Sequence, residues 1–150
     1  MANVTIIGGH GKVALLAEPK LVQAGHTVNA VIRNADQRSD IESKGANAVV
    51  LDIQNASTTE IEKMLQETET DVLVWSAGAG GGDTSRTYAI DQDAAIRTIE
   101  AAEHTGVKRY VMVSYLGSGN GHTVGEDNGF YAYETAKAVA DAYLRDSRSE

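Results

Sequence analysis

The segment Val4–Ala14, with the sequence VTIIGGHGKVA, says most about how this chain folds. Its first residues favour a strand, glycines follow at once, and a segment compatible with a helix begins at Gly11. Gly8 and Gly11 have no side chain that would keep a pyrophosphate from the backbone, so free N–H groups and the positive helix end would face the anion. The spacing G-x-x-G-x-x-A is a variant of the dinucleotide fingerprint, and the alternative is an ordinary glycine-rich turn.

Composition narrows the class of protein. The chain has 150 residues, of which 42% are hydrophobic, so we predict a single folded domain over residues 1–150. A net charge of −8 argues against nucleic acid or an anionic membrane surface as a partner. The sequence contains no cysteine, which excludes disulfides and thiolate chemistry.

The sequence also carries expectations about location and metals. The N-terminus leads directly into a strand, and no apolar run approaches the roughly 20 residues that cross a bilayer, so we expect a cytoplasmic protein. The four histidines are scattered without the spacing of metal ligands, and we therefore expect no metal site.

Strands and helices alternate along the whole chain. Strands are predicted over residues 3–7, 27–32, 48–51, 72–75 and 110–113, and the main helices over residues 11–24, 34–45, 86–105 and 131–145. Ser57 and Glu60 form a capping box that opens a further helix, and Pro19 is expected to kink or divide the first one. Repeated units of this length predict an α/β fold: a doubly wound parallel sheet between two layers of helices, a three-layer sandwich of the Rossmann type.

Ligands of such sheets lie across the carboxyl ends of the strands, so the residues after each strand matter most. Arg33 follows the second strand where an NAD site would place an acid, and its guanidinium matches a 2′-phosphate, which favours NADP; the alternative is a surface arginine. After the third strand, Asp52 would accept the adenine amino group and Ile53 would cover the ring, or Asp52 simply forms the turn. Lys12 either adds charge near the phosphates or points into water.

Small residues follow the fourth strand. Ser76, Ala77 and Gly78 lead into a glycine-rich loop over residues 78–82, which would let the ribose and nicotinamide approach the backbone. The alternative is that these glycines only give the turn its flexibility.

Ser114, Tyr133 and Lys137 form a candidate catalytic set. Tyr133 and Lys137 stand four residues apart on a predicted helix and share one face, so the ammonium would lower the pKa of the phenol and make Tyr133 a general acid/base. Ser114, at the end of the fifth strand, would hydrogen-bond the substrate oxygen. The alternative is a packed tyrosine beside a lysine whose stem covers apolar surface.

With these residues, the chain resembles the short-chain dehydrogenase/reductase superfamily, and most of all its atypical and extended members of the NmrA-like and NAD-dependent epimerase/dehydratase type. The resemblance lies in IGGHGKV at 7–13, VIRN at 31–34, WSAG at 75–78, GVKRYVMVS at 106–114 and YETAK at 133–137. It implies that Ser114, Tyr133 and Lys137 are the catalytic residues and that Lys137 also touches the nicotinamide ribose. The residues expected to bind the cofactor, NADP or else NAD, are Gly8, Gly9, His10, Gly11, Lys12, Val13, Arg33, Asp52, Ile53, Ser76, Ala77, Gly78 and Lys137.

The sequence departs from the superfamily in two places. Ala14 stands where the third fingerprint glycine is usual. Members usually continue past the last helix into further strands, whereas this sequence ends at Arg148-Ser149-Glu150. We therefore expect either a fragment or a reduced version that lacks the usual C-terminal strands. An edge strand left uncovered there would favour pairing with another chain, as in a homodimer.

Three functions are compatible with these features. The first is an NADP(H)-dependent oxidoreductase that acts on a small carbonyl or alcohol, and the sequence does not identify that substrate. The second, implied by the NmrA-like resemblance, is a non-catalytic NADP(H) sensor that acts through a regulatory protein partner. The third is a sugar-nucleotide epimerase or dehydratase, against which the short C-terminal region argues because sugar nucleotides need a large second site.

Overall fold

The computed structural model of the protein describes residues 1–80 and 83–147. All strands in the described part are parallel and form one sheet in the order β3-β2-β1-β4-β5. The strands are β1 Asn3–Ile7, β2 Thr27–Ile32, β3 Asn47–Val50, β4 Val72–Trp75 and β5 Arg109–Met112. The predicted doubly wound parallel sheet is therefore confirmed, with β3 and β5 each displaced by one residue from the prediction.

Helices cover both faces of the sheet, and each face has its own apolar core. The helices are α1 Lys12–Gln23, α2 Arg38–Glu42, α3 Thr58–Glu67, α4 Thr84–Thr87, α5 Ala95–Thr105 and α6 Phe130–Asp146. In β1, Ile6 belongs to the core on the side of α1 and α2, whereas Ile7 belongs to the core that includes residues of α3, α5 and α6. Such burial on both faces explains why the strands read as nearly continuous apolar runs.

Two predictions about helix shape need correction. Of the two outcomes expected at Pro19, division of the helix is wrong: α1 runs as one helix through Pro19, because packing of residues such as Ala14 against the sheet outweighs one lost backbone hydrogen bond. A kink at Pro19 stays a prediction. The helix predicted over residues 34–45 is a 3-10 turn, Ala35–Gln37, followed by the short helix α2. The side chain of Asn34 caps that turn by accepting a hydrogen bond from the N–H of Asp36 at 2.9 Å.

Other local predictions are confirmed. Ser57 and Glu60 form the reciprocal capping box of α3, with the Ser57 N–H donating to Glu60 Oε2 at 2.7 Å. In α5, Ala95, Ile99 and Ala102 lie on one fully buried face. Residues 81 and 82 of the predicted loop over residues 78–82 lie outside the described residues, and so does the C-terminal Arg148-Ser149-Glu150. Of the helices described, none has the length and apolar character needed to cross a bilayer.

Candidate functional site

Two adjoining cavities open at the carboxyl edge of the sheet. The first, of about 350 Å³, lies over the ends of β1, β2 and β3, and the second, of about 630 Å³, lies between the end of β4 and the start of α6. Both cavities are lined by Gly11, Ser76, Ala77, Gly78 and Ala79, so they form one continuous site across the middle of the sheet. This is the edge where ligands of doubly wound sheets bind.

The glycines of the turn after β1 have two different roles: some allow close packing of the backbone, and one lines the cavities. Gly8 has φ +82°, and a Cβ there would lie 2.6 Å from the Cα of Ala77. A Cβ on Gly9 would lie 2.5 Å from the Cβ of Ala30 in β2. These glycines are therefore required by the close approach of β1 to its neighbouring strands, whereas Gly11, with φ −70°, lines both cavities.

The free N–H groups of the turn lie one step further along than the sequence suggests. The N–H groups of Gly9 and Gly11 are used internally, donating to the carbonyls of Val31 at 2.9 Å and Gly8 at 3.0 Å. Helix α1 begins at Lys12, and within the described part of the chain no side chain caps its first turn. Lys12 and Val13 thus begin an uncapped helix, and both residues line the second cavity.

The first cavity contains the residues predicted to hold adenosine. Arg33, Asp52 and Ile53 all line it, as does His10, whose Nε2 lies 2.8 Å from Asp40 Oδ2. The Asp52 carboxylate accepts hydrogen bonds from the Gln54 N–H at 3.2 Å and the Asn55 amide at 2.7 Å. Asp52 therefore has the turn-forming role that was its alternative interpretation.

Tyr133 and Lys137 line the second cavity, as their spacing on α6 predicts. Lys137 is almost fully buried, and its Nζ donates to the sulfur of Met112 at 3.2 Å, a weak acceptor. Ser114 lies outside the described lining of both cavities, and its hydroxyl donates to Asp141 Oδ2 at 2.6 Å. The structure therefore places two of the three candidate catalytic residues in one cavity and leaves the third outside the described lining.

The electrostatics of Tyr133 differ from the expectation. Burial raises the pKa of the Tyr133 phenol, and the negative charge of Asp91 adds to that shift. Burial lowers the pKa of Lys137, against the opposing charges of Asp141 and Asp91. The predicted lowering of the Tyr133 pKa by Lys137 was wrong, because loss of solvent and neighbouring acids dominate at the phenol.

Asp91 is a site residue that sequence reasoning missed. It lies in a π-helical segment, Tyr88–Ala94, and such segments are frequent at functional sites. Asp91 is 2% exposed, lines the second cavity and accepts the N–H of Ala79 at 3.2 Å. The sequence did contain a signal for Asp91. It stands four residues before Ala95, so it places an acid on the helix face that is otherwise apolar in α5.

Burial raises the pKa of the Asp91 carboxyl, while the Ala79 hydrogen bond and the Lys137 ammonium oppose the shift. Asp91 and Lys137 are thus a pair of buried, oppositely charged groups on one cavity wall. Between them they place a carboxylate and an ammonium beside Tyr133, where polar ligand groups would find both an acceptor and a donor.

Together, these features define an α/β domain of the Rossmann type with a cavity next to its glycine-rich turn. The chain belongs to the NAD(P)H-binding family, whose model matches residues 8–150. It is 35% identical over 148 residues to a UPF0659 protein of Saccharomyces cerevisiae, covering 97% of this chain and 64% of the relative. It is 32% identical over 147 residues to a Bacillus subtilis protein named an uncharacterized sugar epimerase, covering 97% of this chain and 66% of the relative.

Among solved structures, a putative NAD-dependent epimerase/dehydratase from Bacillus halodurans superimposes with a TM-score of 0.84 at 30% identity, covering 99% of this chain and 67% of that one. The Bordetella bronchiseptica enzyme WbmG, in complex with NAD and UDP, superimposes with a TM-score of 0.78 at 20% identity, covering 99% of this chain and 50% of that one, which shows the fold alone. The resemblance to epimerase/dehydratase-type members is confirmed. The chain spans less than two thirds of the length of the curated relatives cited above.

Proposed function

We propose that this protein is an oxidoreductase of the short-chain dehydrogenase/reductase type that prefers NADP(H) and acts on a small carbonyl or alcohol. One observation carries the proposal: Tyr133 and Lys137 line the same cavity as Lys12 and Val13, which head the uncapped helix α1. A nicotinamide coenzyme, when bound, would supply or accept the hydride. The glycine turn, the helix start and the two continuous cavities fit a dinucleotide in size and charge.

The chain's own residues would handle the proton and the orientation of the ligand. The raised pKa of Tyr133 keeps its phenol protonated around neutral pH, which suits donation of a proton to a carbonyl oxygen during reduction. Lys137 would hold ribose hydroxyls through its ammonium, whose hydrogen-bond partner among the described residues is the weak acceptor sulfur of Met112. The role of Ser114 in binding the substrate oxygen would require its hydroxyl to leave Asp141.

The test of this chemistry is the substitution Tyr133→Phe. We expect kcat for carbonyl reduction to fall by about 10²- to 10⁴-fold, because a positioned acid contributes that much, while NADPH affinity stays unchanged. Tyr131→Phe is a matched control, since Tyr131 stacks on His122 at 3.8 Å and lies outside the described lining of both cavities. Full activity in the Tyr133→Phe protein would contradict the assignment.

The preference for NADP(H) rests on charge in the first cavity. Arg33 and Arg86 line it, and Asp52 is the only acid among the described lining residues, with its carboxylate engaged in the turn. Arg33 is exposed and free to meet a 2′-phosphate in a charge-assisted pair.

Fluorescence titration of NADPH and NADH tests this preference. In Arg33→Ser, we expect NADPH affinity to fall by about tenfold or more and NADH affinity to stay the same, because only NADPH carries the lost partner. Arg38→Ser is the control, since Arg38 is an exposed arginine outside the described cavity lining. Equal affinity of the unsubstituted protein for both coenzymes would refute the preference.

A second candidate function is an NADP(H) sensor that performs no chemistry and acts through a protein partner. Two observations on the candidate catalytic residues favour it. The Ser114 hydroxyl donates a hydrogen bond to Asp141, and the pKa of Tyr133 is raised by burial instead of lowered. Tight NADPH binding without oxidation across a panel of carbonyl compounds would support the sensor over the oxidoreductase.

Sugar-nucleotide epimerase or dehydratase chemistry is a third candidate. It is supported by the names of the Bacillus subtilis relative and of the Bacillus halodurans structure. Conversion of a nucleotide sugar by the protein loaded with NAD, without net consumption of the coenzyme, would support this candidate over the other two.

A further inference from the structure

Arg97 connects helix α5 to a wall of the first cavity. Its Nε donates to the carbonyl of Ala56 at 3.0 Å, and its Nη2 donates to the carbonyls of Gln54 at 2.9 Å and Ile53 at 3.3 Å. These carbonyls lie 41 to 44 residues earlier in the chain, in the loop between β3 and α3. One guanidinium thus binds three carbonyls of a loop that is joined to the sheet at its start, where the Leu51 N–H donates to the carbonyl of Ile32 at 2.9 Å.

The same loop forms one wall of the first cavity, which Leu51, Asp52, Ile53 and Gln54 all line. Two of its N–H groups are held from within the loop: the carbonyl of Asp52 accepts from Asn55 at 3.2 Å and from Ala56 at 2.9 Å. Its carbonyls are held from outside, by Arg97. The position of the wall therefore depends on an arginine that lies outside the described lining of the cavity.

The guanidinium is well suited to this task because its donors are fixed in a planar fork. A lysine would present its donors from a single rotating atom and cannot reach three spread carbonyls with equal geometry. Loss of the fork would leave three partly buried carbonyls without this partner, and the loop would rearrange to solvate them.

We infer that Arg97 is a positioning residue for the adenosine half of the coenzyme: it fixes the wall against which adenosine binds, without touching the ligand. The inference rests on the proposed binding of a nicotinamide coenzyme. It predicts a separable effect, since the loop borders the first cavity and is absent from the described lining of the second.

Three probes separate the two halves of the site: NADPH, adenosine 2′,5′-bisphosphate and reduced nicotinamide mononucleotide, each titrated against the full chain. In Arg97→Met, we expect the first two to lose about tenfold in affinity, the scale of a lost charge-assisted hydrogen bond, and the third to bind as before. Arg97→Lys keeps the charge and should show most of the same loss. Arg109→Met is the control, because it removes the same charge from an exposed position on β5.

Each result gives a definite answer. Unchanged affinity for adenosine 2′,5′-bisphosphate in Arg97→Met, or full affinity in Arg97→Lys, overturns the positioning role. An equal loss for all three probes also overturns it, because that pattern shows general destabilisation. An unsubstituted protein that binds none of the probes instead refutes the proposed function itself, so the two failures are distinguishable.

Discussion

The two cavities share five residues at the middle of the site, but each holds a polar side chain in a different way. In the first, the Asp52 carboxylate accepts hydrogen bonds from residues two and three positions on. In the second, the Lys137 ammonium donates to the sulfur of Met112, 25 residues away. One group is therefore placed by its neighbours in sequence, and the other by a partner that only the fold brings near.

The largest expected effect tests how much of the requirement for glycine at position 8 comes from local conformation and how much from a distant contact. Gly8→Ala should destabilise the fold by about 4 kcal/mol, because a positive φ costs an alanine about 1–2 kcal/mol and the new Cβ would collide with the backbone of Ala77. Urea unfolding followed by circular dichroism measures the loss.

Gly106→Ala is the matched control for Gly8→Ala. Gly106 has φ +72° at the end of α5, and no described atom lies within 4 Å of the position its Cβ would take. It should lose only the backbone part, about 1 kcal/mol. Equal losses in the two proteins would show that conformation alone, and not the approach of β1 to β4, requires glycine at position 8.

Glu18 differs from both Asp52 and Lys137, because it is a buried acid whose carboxylate has no hydrogen-bond partner among the described residues. It lies on helix α1, and its side chain is fully buried. Burial raises the pKa of Glu18 from 4.5 to about 7, with the charges of Lys44 and His10 opposing the shift. Well below pH 4.5, the Glu18 carboxyl is neutral in the folded and in the unfolded protein. Between about pH 4.5 and 7, the folded protein still holds a proton on Glu18 that the unfolded protein has lost.

Stability should therefore fall as the pH rises from about 4.5 to 7, with the full penalty present above 7. We expect Glu18→Gln to be more stable than the original protein by up to about 3 kcal/mol at pH 8 and nearly equal to it at pH 4.5. Urea unfolding at both pH values measures the difference. Glu126→Gln controls for net charge from an exposed loop, and a similar gain there would refute the role of burial.

The same contrast explains what could be predicted from the sequence. The fold follows from alternating apolar runs and glycine turns, and the Ser57–Glu60 capping box from a spacing of three. Tyr133 and Lys137 reach one cavity because a spacing of four fixes a shared helix face. All of these depend on rules that act within a few residues.

The rest depends on partners that no local rule can identify. The orientation of Ser114 is fixed by an acid on α6, and the three carbonyls held by Arg97 lie more than 40 residues before it. The direction of the Tyr133 pKa depends on burial and on Asp91, which belongs to another helical segment. Such pairs arise only when the fold brings together elements that are distant in the sequence.

The smallest effect among these predictions concerns Asp141, which holds residues that are distant from it in the sequence. Its Oδ2 accepts the hydroxyls of both Ser114 and Ser118 at 2.6 Å, which ties α6 to the segment after β5. Asp141→Ala should lower the free energy of unfolding by about 2 kcal/mol, because two hydrogen bonds to a charged acceptor are lost. The loss is partly offset, since Asp141 Oδ1 is buried without a hydrogen-bond partner among the described atoms and its removal favours folding. Asp146→Ala, at an exposed position of the same helix, should change stability little. NADPH affinity should stay nearly the same in both proteins, since Asp141 lies outside the described lining of either cavity. A marked loss in Asp141→Ala alone would show that Asp141, whose charge acts on Lys137, also supports the coenzyme site.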